Sequence, residues 1–453
     1  MKKIDENFYG YIRVEGDTYT YNVSDNIVTL LPAQSDPQKR DDSLYRIKSH
    51  KTDTPEYLFG EDNNSMIAIL RNGKFVTDPI GTNVAIRFAT PIIIKACGNA
   101  EGFFNMLTED WCKFHAITFC GGNINALYTP GIAIEQPDVS ELLKYDGART
   151  IKMRPWSAYT RTTQFQIENE KVTLTVSIGQ TAETNNAENR GAYNLGKVYT
   201  FFRFSFENAQ GFEKMEKYYI IARKIVAILT SQNNICFEEV YLSQRNSEQK
   251  YFKTGICKIF DSYENYSIRQ WHKVIPIFSV FDYIPNLIDG IVNGKVNSLL
   301  ELLPEDNKMV NRISIKNVQD LCTALEVSYQ LDDKRKREKD ALIEELKKNI
   351  KNTIAEFTKA HNEIDVNKET TMSSAFQYLD YTLKQKILTL YNENSDIVDE
   401  IVSKYSLPSV NENSIASFVK LRNNKTHSGP VAWGESAKIY TPLFAIVYAS
   451  FFK

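Results

Sequence analysis

Hydrophobic and polar positions alternate along the first half of the chain and then change period. Val172, Leu174, Val176 and Ile178 are separated by Thr173, Thr175 and Ser177, the two-residue repeat of a half-buried strand. Met66 to Leu70 and Phe75-Val76 flank Arg71-Asn72-Gly73-Lys74. Asn-Gly tolerates positive φ, so this spacing predicts a hairpin turn. Val84 to Phe88 and Ile92 to Ile94 read as further strands, with Pro91 between them. The polar stretch from Gly179 to Gly196 reads as a long loop between two strands. Met215, Tyr218, Ala222, Ile225 and Leu229 then fall at three- and four-residue steps, which predicts an amphipathic helix over 213–231. A strand over Ile235 to Leu242 is expected to follow.

From about Pro285 the period is helical throughout. Leu342, Leu346, Ile350, Ile354 and Phe357 form one stripe, and Phe376, Leu379, Leu383, Ile387 and Leu390 a second. Ile415, Phe418, Val419 and Leu421 begin a third, and Ile439 to Phe452 closes the chain. Short polar connectors between such stripes suit an antiparallel bundle. The expected fold class is α+β. A β-rich, sandwich-like N-terminal domain with one or two helices covers 1–290, and an all-α helical bundle covers 291–453. No Pro/Gly/Ser linker marks the boundary.

Composition narrows the classes. A chain of 453 residues has room for two or three domains with sizeable cores. A net charge of −2 supplies no global attraction for nucleic acid, which argues against a general nucleic-acid coat but not against an enzyme that grips RNA locally. The six cysteines are scattered without a CxxC pair, as expected of reduced thiols, and they offer no zinc-ligand spacing. The opening Met-Lys-Lys-Ile-Asp-Glu has no apolar run behind it, so no signal peptide is expected. Ile439 to Phe452 is too short to span a bilayer and contains Pro442, which favours a terminal core helix. A cytoplasmic protein without membrane, metal or cofactor is expected.

The most informative stretch is Phe418-Val-Lys-Leu-Arg422-Asn423-Asn424-Lys425-Thr426-His427-Ser428-Gly429-Pro430. Among the five histidines, only His427 follows an arginine with four to six residues between them. On an unbroken helix five steps set two side chains about 140° apart. Convergence therefore requires the helix to end near His427, and Gly429-Pro430 is a helix-stopping pair. Metal-free RNA cleavage needs a base for the ribose 2′-OH, an acid for the leaving 5′-oxygen and a cation for the phosphorane. Histidine serves as base or acid near neutrality. Arginine is a permanent cation with a planar fork for phosphate oxygens. One histidine cannot hold both protonation states at once, so the chemistry suggests two copies facing each other across a two-fold axis. Bare Arg–His spacing arises readily by chance. The helix end, the bundle context and the polar residue after Arg422 add to it.

In this context the stretch resembles the R-x(4–6)-H motif of HEPN domains, in which a polar residue follows the arginine. The flanking helices and a final apolar helix are also similar to that family. An ApeA-like branch, with a β-rich N-terminal domain before a C-terminal HEPN domain and a link to anti-phage defence, matches the architecture best. The HEPN resemblance covers about 150 residues. For the N-terminal part it rests on architecture rather than a diagnostic motif. The resemblance implies that Arg422 and His427 are catalytic and that Asn423 supports them. It also implies metal-independent endoribonuclease activity on RNA, plausibly tRNA. A homodimer through the helical domain, gating by the N-terminal domain and a phage-derived protein trigger would follow. A non-catalytic HEPN-type binding or scaffold protein is the alternative.

Weaker signals stand beside this one. Lys425, Thr426 and Ser428 are candidates for phosphate contact, though solvated loop residues need no function. Lys334-Arg335-Lys336-Arg337 is a basic run bracketed by Asp332, Asp333, Glu338 and Asp340, which cancel most of its field. Asp396, Asp399 and Glu400 read as exposed acids near a helix start rather than a metal site. Gly121-Gly122-Asn123 reads as a turn rather than a phosphate cradle. The aromatics of the N-terminal half suit either a core or a ligand groove.

Overall fold

A computed structural model describes residues 8–49, 56–62, 65–80, 83–97, 111–135, 152–184, 193–246, 248–260, 274–304, 314–330, 341–361, 370–371, 382–404, 406–427 and 438–452. The chain divides into two compact units. The first comprises Met1–Val226 and Asn234–Ser267, and the second Ala227–Asn233 and Ile268–Lys453. The sequence reading set this division at residue 290.

The first unit begins with a closed barrel. β1 (Phe8–Val14), β2 (Asp17–Ser24) and β3 (Ile27–Pro32) form a meander, and α1 (Pro37–Ser49) precedes β4 (Glu56–Asp62), β5 (Ser65–Ile80) and β6 (Asn83–Ala89). β1 pairs with β4, β4 with β5, β5 with β6 and β6 with β3, so the ring of strand pairings closes. Its interior is filled by Phe8, Ile12, Tyr19, Val28, Leu30, Ile67, Ile86 and Phe88, and α1 adds Leu44 and Ile47 to the same core. Closure is tight where β1 meets β4. A Cβ on Gly10 would collide with the Glu61 carbonyl, and one on Gly60 with the Tyr11 carbonyl.

β5 carries the barrel into an open sheet. Its first half pairs with β4 and with β7 (Ile92–Ala96), and its second half with β6, the register breaking between Asn72 and Val76. Asn72-Gly73 is thus no hairpin turn. The strand passes through it unbroken and bends. β8 (Lys113–Cys120) follows, then a two-residue ribbon of β9 (Ile134–Glu135) and β10 (Lys152–Met153). β11 (Arg161–Ile167), β12 (Glu170–Thr184), β13 (Tyr193–Gly211), β14 (Glu239–Arg245) and β15 (Tyr251–Ile259) complete the set. The open part runs β11-β12-β13-β8-β14-β15-β7, continuous with the barrel in one antiparallel sheet. A barrel extended by an open sheet therefore stands where a sandwich was expected.

The predicted alternation of 172–178 is present, with Val172, Leu174, Val176 and Ile178 buried. The expected loop over 179–196 is largely the two arms of a long hairpin, since β12 runs to Thr184 and β13 starts at Tyr193. Its polar side chains gave no apolar alternation to read, while the backbone pairing continues across a bulge between Gln180 and Ala182. β14 begins later than expected because residues 236–238 are tied to the end of β8. Cys236 N donates to Asn123 Oδ1 at 2.9 Å and Glu238 N to Cys120 O at 2.9 Å. Gly121 and Gly122 there take φ of 67° and 59°, so the Gly-Gly-Asn stretch is a turn. α2 (Met215–Thr230) lays Tyr218 against Phe114 and Phe206, and Tyr219 against Phe119.

The second unit is helical: α3 (Ile284–Val292), α4 (Asn297–Leu302), α5 (Ile315–Gln330), α6 (Ala341–Ala360), α7 (Leu383–Lys404), α8 (Glu412–His427) and α9 (Tyr440–Phe452). α9 packs on α7, α5 and α3, and α8 on α7 and α5. Leu443, Ile446, Val447 and Ala449 of α9 are fully buried, as a terminal core helix requires. Pro442 falls in its first turn, where no intrahelical hydrogen bond is lost. No helix among the described residues is long and apolar enough to cross a membrane.

One expectation fails here. The stripe on α6 is not core: Leu342, Leu346 and Phe357 are 75%, 50% and 53% exposed. Periodicity marks an apolar face but not whether anything covers it. Asn394 (φ −125°, ψ 15°) is non-helical and divides α7 into two helical segments, so Asp396, Asp399 and Glu400 stand near the start of the second, as expected, and Tyr391 Oη donates to Asp399 Oδ1 at 3.0 Å. Phe376 and Leu379 of the second stripe, and Lys334 to Arg337, lie outside the described residues.

Candidate active site

Three helices of the second unit begin with reciprocal caps. At α5, Ser314 N donates to Asn317 Oδ1 (3.1 Å) and Asn317 N to Ser314 Oγ (3.2 Å). At α7, Thr382 N donates to Gln385 Oε1 (2.8 Å) and Gln385 N to Thr382 Oγ1 (3.3 Å). At α8, Ser414 N donates to Asn411 Oδ1 and Asn411 N to Ser414 Oγ, both at 2.9 Å. Each exchange satisfies amide groups that a helix start leaves without intrahelical partners. Lys384 Nζ then pairs with Glu412 Oε1 at 2.7 Å, joining the first turn of α7 to that of α8. This hydrogen bond and its charge hold the Glu412 carboxyl below its usual range.

α8 is the element that carries the motif. Ile415 and Phe418 are fully buried and Leu421 nearly so, one stripe at three-residue steps. That stripe fixes the helix against α5 and α7, and it sets Arg422 at the margin of the buried face. Arg422 is half-buried with its Nε shielded from solvent, and Nη1 donates to Asn423 Oδ1 at 3.1 Å. Asn423 is exposed. Cys322 of α5 is close enough to feel the guanidinium. Burial pushes its thiol up to about 12, and Arg422 pulls it partly back. Cys322 is therefore a protonated thiol at neutral pH and not a nucleophile.

The helix continues through the motif and ends at His427. Arg422 and His427 thus sit on one helix about 7.5 Å apart along its axis. The side chains of Lys425, Thr426 and His427, and all of Ser428, lie outside the described residues. Of the sequence candidates, Arg422 and Asn423 are brought together by a hydrogen bond. Among the described residues no cluster of three or more metal-ligating side chains occurs. Arg422 offers a fixed cation at a helix end, which can pair with a phosphate oxygen. The Arg422–Cys322 proximity and the three caps escaped sequence reading. The caps were legible in principle as Ser-x-x-Asn, Thr-x-x-Gln and Asn-x-x-Ser before apolar runs.

Compared with known protein families, curated proteins and solved structures, the chain matches none.

Proposed function

We propose that this chain is a metal-independent endoribonuclease of HEPN type, gated by its β-rich unit and acting in anti-phage defence. Arg422 steadies the phosphorane and Asn423 orients the guanidinium. His427 exchanges the proton of the ribose 2′-OH or of the leaving 5′-oxygen. The products are a 2′,3′-cyclic phosphate and a 5′-OH. Because one His427 covers only half of the acid–base chemistry, the working enzyme is a homodimer that joins two motifs through the helical unit. RNA, with tRNA the first candidate, is the substrate and a phage-derived protein the trigger. The observation that supports this reading is the Arg422–Asn423 hydrogen bond on a helix that ends at His427.

A second reading, a non-catalytic HEPN-type scaffold, draws support from the solvent-facing apolar stripe of α6. Growth and total-RNA integrity in cells expressing wild type, Arg422→Ala and His427→Ala, with and without phage, separate the two. RNA cleavage and growth arrest by wild type alone support the nuclease. Equal behaviour of all three folded proteins removes it and leaves the scaffold.

A further inference from the structure

The open sheet of the first unit has two chemically different faces. One carries Val172, Leu174, Phe202, Phe204, Ile117, Phe119, Val240 and Leu242, all buried. On the other, five cross-strand partners form a row: Thr162 on β11, Thr175 on β12, Arg203 on β13, Thr118 on β8 and Tyr241 on β14. Direct partners share a face, so four hydroxyls lie in line with one guanidinium.

Arg203 is held in place. Its Nε donates to Oγ1 of the buried Thr118 at 3.2 Å, and its guanidinium carbon lies 5.1 Å from the Phe201 ring and 5.3 Å from that of Tyr251. Burial raises the Tyr241 phenol above its ordinary value, and the nearby Arg203 and Thr118 oppose that rise. The neighbouring cations have carboxylate partners: Lys253 pairs with Glu239, and Lys197 with Glu238. Arg203 has none among the described residues, although it is only partly exposed. A partly desolvated guanidinium that is fixed by rings and lacks a counter-charge is preorganised for an anion. Hydroxyls on the strands to either side of Arg203 add donors beside its fork, which suits a tetrahedral oxyanion with more acceptor oxygens than a carboxylate has.

We propose that this face binds a phosphate-bearing small molecule, with Arg203 pairing with the phosphate and Thr175 and Tyr241 flanking it. The site lies in the unit assigned a sensing role, but it is argued from the sheet alone and does not depend on the nuclease reading.

The test is calorimetric titration of the full chain at constant ionic strength. The probes are inorganic phosphate, ribose 5-phosphate, adenosine 5′-monophosphate, acetate and a short single-stranded RNA. Saturable binding of at least one phosphate monoester at one per chain is expected. Arg203→Gln should weaken it about ten-fold or more and Tyr241→Phe a few-fold, while Lys171→Gln, an exposed charge on β12, leaves it unchanged. Should Arg203→Gln lose its circular-dichroism signal, Arg203→Lys, which keeps the charge but not the fork, and Tyr241→Phe carry the same comparison. Absent or unsaturable phosphate binding, binding undiminished in the folded Arg203 and Tyr241 variants, acetate binding as tightly, or binding of RNA alone would each overturn the proposal. The readout is binding, so its failure is distinct from a failure of Arg422 and His427 to cut RNA.

Discussion

Arg422 donates from Nη1 to the side-chain oxygen of the very next residue, Asn423, at 3.1 Å. Successive helix residues point about 100° apart, so the long arginine folds along the helix surface to reach it. On the proposed reading, Asn423→Ala releases the guanidinium and lowers kcat about 10- to 100-fold with little change in KM. Asn423→Asp, which keeps the acceptor oxygen, restores most of it. Arg422→Ala costs about 10²- to 10³-fold. Single-turnover cleavage of an RNA substrate checks all three, and equal rates for Asn423→Ala and wild type would remove the positioning role.

The cap of α8 sets where the motif begins. Asn411→Ala removes the acceptor for Ser414 N and is expected to destabilise the helical unit by about 1 kcal/mol. Urea unfolding followed by far-ultraviolet circular dichroism reads this directly. A loss below experimental error would mean that solvent replaces the cap at no cost.

Apolar residues on two helices should respond oppositely. Phe418 is fully buried on α8, and Phe418→Ala should cost about 3–5 kcal/mol. On α6, Leu342→Gln, Leu346→Gln and Phe357→Gln should each stay within about 0.5 kcal/mol, because those side chains already face solvent. A large loss at Leu346 or Phe357, measured by the same urea titration, would show that the stripe is covered in solution.

Alkaline stability follows from buried phenols. Burial, with Asp17 adding to it, pushes Tyr19 up to about 12, and burial raises Tyr21, Tyr57, Tyr218 and Tyr440 further. The unfolded phenol ionises near the ordinary value of about 10 and the folded one later. The neutral-phenol contribution of Tyr19 is therefore complete below that ordinary value. It is lost progressively as pH rises from there to about 12. Tyrosinate absorbance should rise together with loss of circular dichroism, and Tyr19→Phe should delay the transition. Tyrosinate formation well ahead of unfolding would contradict this.

Sequence pattern located most elements but not their closure. The alternation of 172–178 and the three–four spacing of Met215 to Leu229 were legible because apolar residues recur at each element's own period, even though Ser177 and all of 225–230 are buried as well. Asn72-Gly73 misled because a turn signal reports local backbone tolerance. Partners distant in sequence, β7 and β6, decide whether the chain reverses there. The α6 stripe misled for a related reason, since amphipathicity is a property of one helix and burial a property of its neighbours. At the candidate site, residue type and spacing pointed to Arg422 and Asn423. The cation held among Phe201, Tyr251 and Thr118 was invisible, because its five-strand row assembles residues between 118 and 241.

The pairing order of the large sheet has a mechanical consequence. One end of it, β6, folds back onto β5, so among the described residues β11 is the one strand of the order with a single neighbour. A sheet with one end cannot be peeled from the other. Under load or thermal fraying it can only unzip inward from the seven residues Arg161–Ile167. The hydroxyl row begins at Thr162 on that end strand and Arg203 lies two strands further in, so the row is among the first parts of the sheet to loosen. The barrel, held by a ring of bonds that must break together, is the last.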